Sequence, residues 1–201
     1  MRTTALRWLV AGAAATLLLS GCGASTDKAQ QAKSSATPSA SARTDRASAP
    51  PTPKVKRGPL TVRMTPVKLS ARQKEAADTV FQYWSRYGVA VSTRDVDGSG
   101  LALVLSARKA TAGTTKVVDA LKAKNEKYVG VLVLGIRSVG VGTDTATVDT
   151  CVDQSRSRLT DSNGQTVQEP EKQNILPIAH TLVKRNGTWL VDKIDQGGFT
   201  C

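Results

Sequence analysis

His180 is the only histidine of the chain, and imidazole is the side chain whose ordinary pKa lies near neutrality. It alternates with Ile178 and Leu182, so it shares one face of a predicted strand with apolar residues. A carboxylate from Asp149 or Asp153 on a neighbouring strand would complete an acid/base pair. The alternative is a histidine that is hydrogen-bonded inside the sheet and takes no part in catalysis. The sequence favours this alternative and predicts no catalytic residue, with His180, Asp149 and Asp153 as the candidates if there is one.

Other motifs that could bind a cofactor are incomplete. Asp95, Asp97 and Gly98 resemble the start of a calcium loop, but no glutamate follows at the bidentate position, so they predict a turn. One histidine and two cysteines without ligand spacing do not make a zinc site. The chain has no phosphate loop and no Gly-x-Ser-x-Gly motif. The sequence therefore predicts no metal and no cofactor.

The start of the chain has the pattern of an export signal. Two arginines precede an apolar run from Leu9 to Leu19, which has the length of a secretory signal core and is too short for a membrane span of roughly 20 residues. The run ends in Leu19-Ser20-Gly21-Cys22, which resembles the lipobox of bacterial lipoproteins. The resemblance implies that residues 1–21 are removed and that Cys22 carries diacylglycerol, so the protein would be anchored on the extracytoplasmic face of the cell membrane. An ordinary signal peptide cut near Ala24 is the alternative.

Two cysteines remain once Cys22 is lipidated, namely Cys151 and Cys201. An even pair in an oxidising compartment predicts a disulfide. A redox pair is the rival interpretation, but it lacks a Cys-x-x-Cys arrangement or an adjacent histidine. Closing a loop of about 50 residues contributes on the order of 4 kcal/mol in the chain-entropy model. The predicted role of the bond is therefore structural.

Charge is distributed unevenly along the 201 residues, whose net charge is +12. Residues 22–71 hold nine basic and two acidic residues, whereas residues 72–201 hold 17 basic and 14 acidic residues. The positive charge is therefore concentrated in the first of these two stretches. We expect residues 22–66, which are rich in Ala, Ser and Pro, to form a disordered tether that is attracted to anionic lipid. Nucleic acid is excluded as a partner because the basic residues are not interleaved with aromatic ones.

The folded domain is predicted over residues 67–201. Ser70 and Gln73 form a capping box before a helix that extends to about Gly88. Its aromatic side chains are predicted to belong to the core rather than to a ligand site; they are Phe81, Tyr83, Trp84 and Tyr87. Two further helices are predicted over 101–110 and 114–127, and four strands over 128–139, 145–155, 174–185 and 188–194. Helices followed by an antiparallel sheet make an α+β fold.

This layout resembles a known superfamily. Three helices, the strand-turn-strand pattern of residues 128–155 and a closing hairpin at 182–191 look like the cystatin-like cone fold of the nuclear transport factor two and SnoaL-like superfamily. The lipobox, the basic tether and Val148-Asp149-Thr150-Cys151-Val152-Asp153 with Cys201 are similar to uncharacterised lipoproteins of high-GC Gram-positive bacteria. The resemblance implies N-terminal helices packed on a curved antiparallel sheet.

The expected function is a membrane-anchored extracytoplasmic lipoprotein whose domain binds a small apolar ligand or a cell-envelope protein without catalysis. One alternative is a SnoaL-like small-molecule enzyme that uses His180 with a carboxylate. Another is an accessory domain in cell-wall assembly. An enzyme needs polar groups that converge inside its pocket, whereas a binding module needs an apolar pocket or an exposed patch.

Overall fold

The computed structural model describes residues 58–107, 111–169 and 174–201. The predicted signal peptide, Cys22 and most of the predicted tether lie outside the described residues. In chain order, the described elements are β1 (Leu60–Met64), α1 (Ala71–Thr93), a 3-10 turn (Leu101–Val104), α2 (Ala112–Lys124), β2 (Lys127–Val141), β3 (Thr145–Thr160), β4 (Thr166–Gln168), β5 (Ile175–Arg185) and β6 (Thr188–Gln196). Among these residues, no helix combines the length and the apolar character that crossing a membrane requires.

The described strands form one mixed sheet and make the fold α+β, as predicted. The order is β1-β2-β3-β5-β6, with the short β4 also paired to β3. The prediction of a wholly antiparallel sheet is wrong, because β1 runs parallel to β2. Register shifts in the β2–β3 ladder, at Val131/Val133 and Ile136/Ser138, bend and twist these two long strands. The layout is consistent with a cone-like fold.

Strand β1 lies within the stretch that the sequence assigns to the tether. Its residues pair in register with β2, from Leu60 opposite Gly130 to Met64 opposite Leu134. Leu60 is buried, and the inward side of the strand packs against the core. The tether boundary at residue 66 and the start of the folded domain at residue 67 are therefore corrected, since the ordered domain already includes β1. Strand β1 has only five residues, and it is stabilised by pairing with the long strand β2 and by burial of its alternate side chains.

Helix α1 begins where the sequence predicts and ends later. The Oγ of Ser70 accepts a hydrogen bond from the Gln73 backbone N–H, and the Gln73 side chain accepts one from the Ser70 N–H, so the capping box is confirmed. The helix passes through Gly88 and ends at Thr93. A Cβ at Gly88 would lie 3.2 Å from a methyl group of Val62, so this glycine allows a close approach to β1 rather than ending the helix.

The other two predicted helices differ in size. Within the described part of the range 101–110, residues 101–107, the structure has only one 3-10 turn, Leu101–Val104, which is anchored by the fully buried Leu101. The third predicted helix corresponds to α2, which ends at Lys124. The next residue, Asn125, has a φ of 55°, the left-handed conformation common just after a helix. Asn186 and Gly187 have φ angles of 50° and 79°, so the predicted tight hairpin between β5 and β6 is confirmed.

The core lies between the helices and the inner face of the sheet. It is built from alternate residues of the long strands and from one face of each helix. Its fully buried members include Val80, Leu101, Val118, Leu134, Val148, Val152, Leu182 and Val191.

Candidate functional site

His180 lies inside this core and is 1% exposed. Its Nε2 is 3.0 Å from the indole nitrogen of Trp84, and its Nδ1 is 3.0 Å from the carbonyl oxygen of Val148. An indole N–H can only donate, so Nε2 must accept and Nδ1 must carry the proton that it donates to Val148. Both ring nitrogens are therefore used to join helix α1 to strands β3 and β5.

Burial lowers the pKa of His180 to about 4. The hydrogen bond to Val148 and the charge of Asp149 act in the opposite direction but do not outweigh burial. The imidazole is consequently neutral at neutral pH. It has no free nitrogen with which to take a proton from a substrate or to give one to it.

The two candidate carboxylates do not pair with His180. Within the β3–β5 ladder His180 lies opposite Val148, and Asp149 lies opposite Ala179. Because successive residues of a strand project to opposite faces of the sheet, Asp149 faces away from His180. Asp149 accepts a hydrogen bond of 2.8 Å from the hydroxyl of Ser138. The acid/base pair that the enzyme alternative requires is therefore not formed by Asp149, and the candidate dyad is corrected.

Asp153 has a separate local role. Its carboxylate accepts a 2.8 Å hydrogen bond from the backbone N–H of Ser155. Hydrogen bonding by Ser155 lowers the pKa of Asp153, and the nearby Arg156 adds a smaller effect in the same direction. The carboxylate stabilises the irregular stretch of β3 rather than orienting the buried imidazole.

Three aromatic side chains of α1 form one cluster, and two of them, Tyr83 and Trp84, lie beside His180. The ring of Tyr83 lies edge-on to Trp84 with centroids 5.5 Å apart, and Tyr87 lies 5.3 Å from Trp84. Burial raises the pKa of Tyr83 to about 12, in spite of a hydrogen bond with Thr114, and also raises that of Tyr87. Both phenols therefore keep their protons. Tyr83 and Trp84 are buried in the core and Tyr87 packs against it, as the sequence predicts for core side chains.

Two of these tyrosines also border a cleft between the helices and the sheet. The cleft consists of two adjoining cavities of about 390 and 190 Å³ that share Tyr87 and Val117. Tyr83, Thr114, Val191 and Ile194 line the larger cavity, and Leu60, Tyr128, Leu132 and Ser157 line the smaller one. We call the two together the tyrosine cleft.

The charged groups of the tyrosine cleft are confined to one end of the larger cavity. Asp192 accepts a hydrogen bond from the Ser106 hydroxyl, and Lys193 forms an ion pair of 2.9 Å with Asp195. The rest of the lining is mainly aliphatic and phenolic, with the hydroxyl groups of Thr114 and Ser157 and the amide of Gln154. Such a surface suits a largely apolar ligand that has a few hydrogen-bonding groups.

The sequence did not reveal the tyrosine cleft, because its walls come from elements that are far apart in the chain. The one local signal is Val117, which is 36% exposed on a helix whose other large aliphatic residues, Val118 and Leu121, face the core. A third cavity of about 370 Å³ lies beside Asp95, Asp97 and Asp119. Within the described ranges, no group of three or more His, Cys, Asp or Glu side chains is arranged to hold a metal ion.

Cys151 and Cys201 form the disulfide that the sequence predicts, across a separation of 50 residues. The C-terminal residues lie over the outer face of the sheet. The Gly197 N–H donates to the Pro177 carbonyl at 2.8 Å, and the Phe199 ring lies 5.6 Å from the guanidinium carbon of Arg137. The disulfide therefore holds the C-terminal residues over one part of the outer face, which is the face that the helices do not cover.

No family model and no curated protein matches this chain. Among solved structures, the intermembrane-space region of the chloroplast protein ARC6 is 16% identical, with a TM-score of 0.48 over 65% of this chain and 98% of that one. A protein of unknown function from Mycobacterium tuberculosis is 14% identical, with a TM-score of 0.38 over 60% of this chain and 70% of that one. A chain with NTF2 in its name is 15% identical, with a TM-score of 0.35 over 60% and 98%. At TM-scores below 0.5, these likenesses carry no argument about function.

Proposed function

We propose that this protein is an extracytoplasmic lipoprotein, anchored in the cell membrane through Cys22, whose cone-like domain binds a small, largely apolar ligand in the tyrosine cleft without catalysis. The observation that carries the proposal is the contrast between the cleft and His180. The cleft is lined mainly by aliphatic and phenolic side chains, whereas both nitrogens of the only histidine are bonded inside the core. A ligand would therefore meet a binding surface rather than an acid/base pair.

The enzyme alternative has less support. A general base must reach the proton that it removes, either directly or through one water. His180 is buried and both candidate carboxylates lie on the opposite face of the sheet from it. Tyr83 and Tyr87 border the cleft, but their raised pKa values make them hydrogen-bond donors rather than bases at neutral pH.

The anchor gives the first prediction. Replacing the acylated residue, Cys22→Ala, should move the protein from the membrane fraction to the soluble fraction, since acylation at Cys22 is the anchor that the proposal names. The measurement is fractionation of cells that express the wild type or the variant, combined with labelling by a radioactive fatty acid. The matched control is Ser25→Ala, which alters a neighbouring small residue and should leave retention unchanged.

Undiminished labelling together with an unchanged membrane fraction for Cys22→Ala would contradict the anchor. A variant that is retained but unlabelled would also contradict it, because the lipid on Cys22 would then not be the cause of retention.

The tyrosine cleft gives the second prediction. Val117→Trp places a large ring where the two cavities meet, so it should weaken the binding of an apolar probe on the order of tenfold. The probe is N-phenyl-1-naphthylamine, whose fluorescence rises in an apolar site. The matched control is Val167→Trp, since Val167 is 52% exposed on β4 and lines neither cavity.

Thermal melts of both variants confirm that they are folded. Equal binding by wild type, Val117→Trp and Val167→Trp would place the probe elsewhere and contradict the proposed site. Loss of binding in the control as well would show that the probe responds to the added ring rather than to the cleft.

A further inference from the structure

The outer face of the sheet carries a surface that the tyrosine cleft does not use. It consists of three valines on β2 flanked by three arginines on the strands to either side. We call it the valine face; its members are Val129, Val131, Val133, Arg63, Arg156 and Arg158.

Strand register brings these residues together. Arg63 of β1 lies opposite Val133, and Arg156 and Arg158 of β3 lie opposite Val131 and Val129. Side chains that are directly opposite in a ladder project from the same face. Intervening residues such as Leu132 and Leu134, which are 4% and 0% exposed, form the core on the other side.

The valine face lies on the side of the sheet away from the core and is partly exposed. Its three valines are half-buried, but they are not among the partly buried residues that pack against the core. The C-terminal residues cover the adjacent part of the outer face, where Cys201 is bonded to Cys151 opposite Gly135. The valines are therefore partly exposed beside this tail, as is Ile175 of β5, which lies opposite Asp153 and is 42% exposed.

The charge of the valine face is positive. Its three arginines are exposed, and none of them forms a salt bridge with another described residue. Lys127 lies on the same side of β2, and Asp153, opposite Val133, offsets part of this charge. A shallow apolar strip between guanidinium groups matches the boundary between the acyl chains and the phosphates of a lipid layer, because guanidinium groups bind phosphate oxygens in pairs.

The proposed anchor at Cys22 would hold this face close to a membrane. Strand β1, which carries Arg63, begins at Leu60, so the predicted tether from Cys22 joins the sheet at the edge of the valine face. The sequence predicts a disordered tether, and a disordered chain of about 40 residues spans roughly 35 Å. A tethered surface experiences a high effective concentration of its partner, so a weak affinity is sufficient for docking.

We propose that the valine face docks the domain on the anionic lipid surface to which the chain is anchored. The closeness of the valine face to the membrane in this proposal rests on the proposed anchor at Cys22. A second copy of the chain fits less well as the occupant, because a two-fold contact through this face would bring the arginines of both copies together.

The test uses the full chain from residue 22 with Cys22→Ser, which cannot be acylated, and phosphatidylcholine vesicles with or without phosphatidylglycerol. The unaltered face should bind the anionic vesicles. The triple variant Arg63→Gln, Arg156→Gln, Arg158→Gln should bind at least roughly tenfold more weakly. The matched control removes the same charge from α2, by Lys116→Gln, Lys122→Gln and Lys124→Gln, and should stay within about twofold of the starting chain.

A second variant separates contact with lipid from attraction at a distance. Val131→Thr with Val133→Thr keeps the β-branched shape and the charge, so the fold and the long-range field are preserved. It should weaken vesicle binding severalfold, because the valines contact the lipid. Sedimentation velocity on the same samples should show a monomer.

Equal losses in the arginine variant and the lysine control would overturn the proposal, because binding would then depend on overall charge. Unchanged binding by the threonine variant would also overturn it. A concentration-dependent dimer that the arginine or threonine variant abolishes would assign the face to a second copy instead. None of these outcomes depends on acylation or on the tyrosine cleft, so the proposed function is tested separately by its own variants.

Discussion

Replacing Cys151 or Cys201 with serine is expected to lower the free energy of unfolding by on the order of 4 kcal/mol. The bond closes a loop of 50 residues that contains most of β3, all of β5 and all of β6. Its loss lets the unfolded chain sample far more conformations. For a domain of this size the melting temperature should fall on the order of 15 °C.

The experiment combines thiol titration with thermal unfolding of the soluble chain. Native protein should show no reactive thiol at Cys151 or Cys201. The melting temperature of the reduced wild type should equal that of the single variants. The double variant Cys151→Ser with Cys201→Ser is the control, and it should be no less stable than either single variant because the same bond is lost once. Two thiols that react under native, non-reducing conditions would contradict the disulfide.

Local chemistry made some elements predictable. The capping box at Ser70 and Gln73 and the hairpin at Asn186 and Gly187 each depend on a few neighbouring residues, and the structure has both. The disulfide partners could be named because two cysteines remain after Cys22 is assigned to the anchor. In each case the determining interaction is short-range or is limited by composition.

Two features of the fold, strand β1 and the continuation of α1 through Gly88, depend on tertiary contacts that the sequence does not show. Strand β1 has only five residues, and its stability comes from pairing with β2, whose partner residues lie about 70 positions further along the chain. Gly88 resembles a helix end, but it is the point at which Val62 approaches α1. The residues of β1 and the residues around Gly88 carry no local pattern that would predict a strand or a continuing helix, because both features depend on distant contacts.

The site was predictable to a similar degree. Alternation with Ile178 and Leu182 placed His180 on an apolar face, and its burial follows from that position. Its bond to Trp84 does not, because the two residues are 96 positions apart. The tyrosine cleft depends on the separation between α2 and the sheet, which no pattern in the sequence specifies.

The second large prediction concerns acid. The pKa of His180 is lowered by burial from 6.5 to about 4 in the folded chain. Above pH 6.5 the imidazole is neutral in both states, so its contribution to stability is fully present. As the pH falls from 6.5 to 4 the unfolded chain binds a proton that the folded chain does not bind, and the free energy of unfolding falls by roughly 3 kcal/mol. Below pH 4 both states are protonated, and this group adds no further change.

The matched control is His180→Gln, which keeps one donor and one acceptor but cannot titrate in this range. Carboxylates such as Asp153 also respond to acid, and their contribution is common to both proteins. The difference in unfolding free energy between wild type and His180→Gln, measured by urea denaturation at several pH values, therefore isolates the imidazole.

A third protein, His180→Leu, distinguishes the hydrogen bonds from the titration. Leucine fills a similar volume but leaves the Trp84 N–H and the Val148 carbonyl buried without their partner, which costs roughly 1 to 3 kcal/mol for each group at neutral pH. Like His180→Gln, it should lack the wild-type slope between pH 6.5 and 4. If wild type keeps the same slope as both variants, the imidazole is not the group that is protonated on unfolding. If His180→Leu is instead as stable as wild type at pH 7, the two hydrogen bonds do not hold α1 to the sheet.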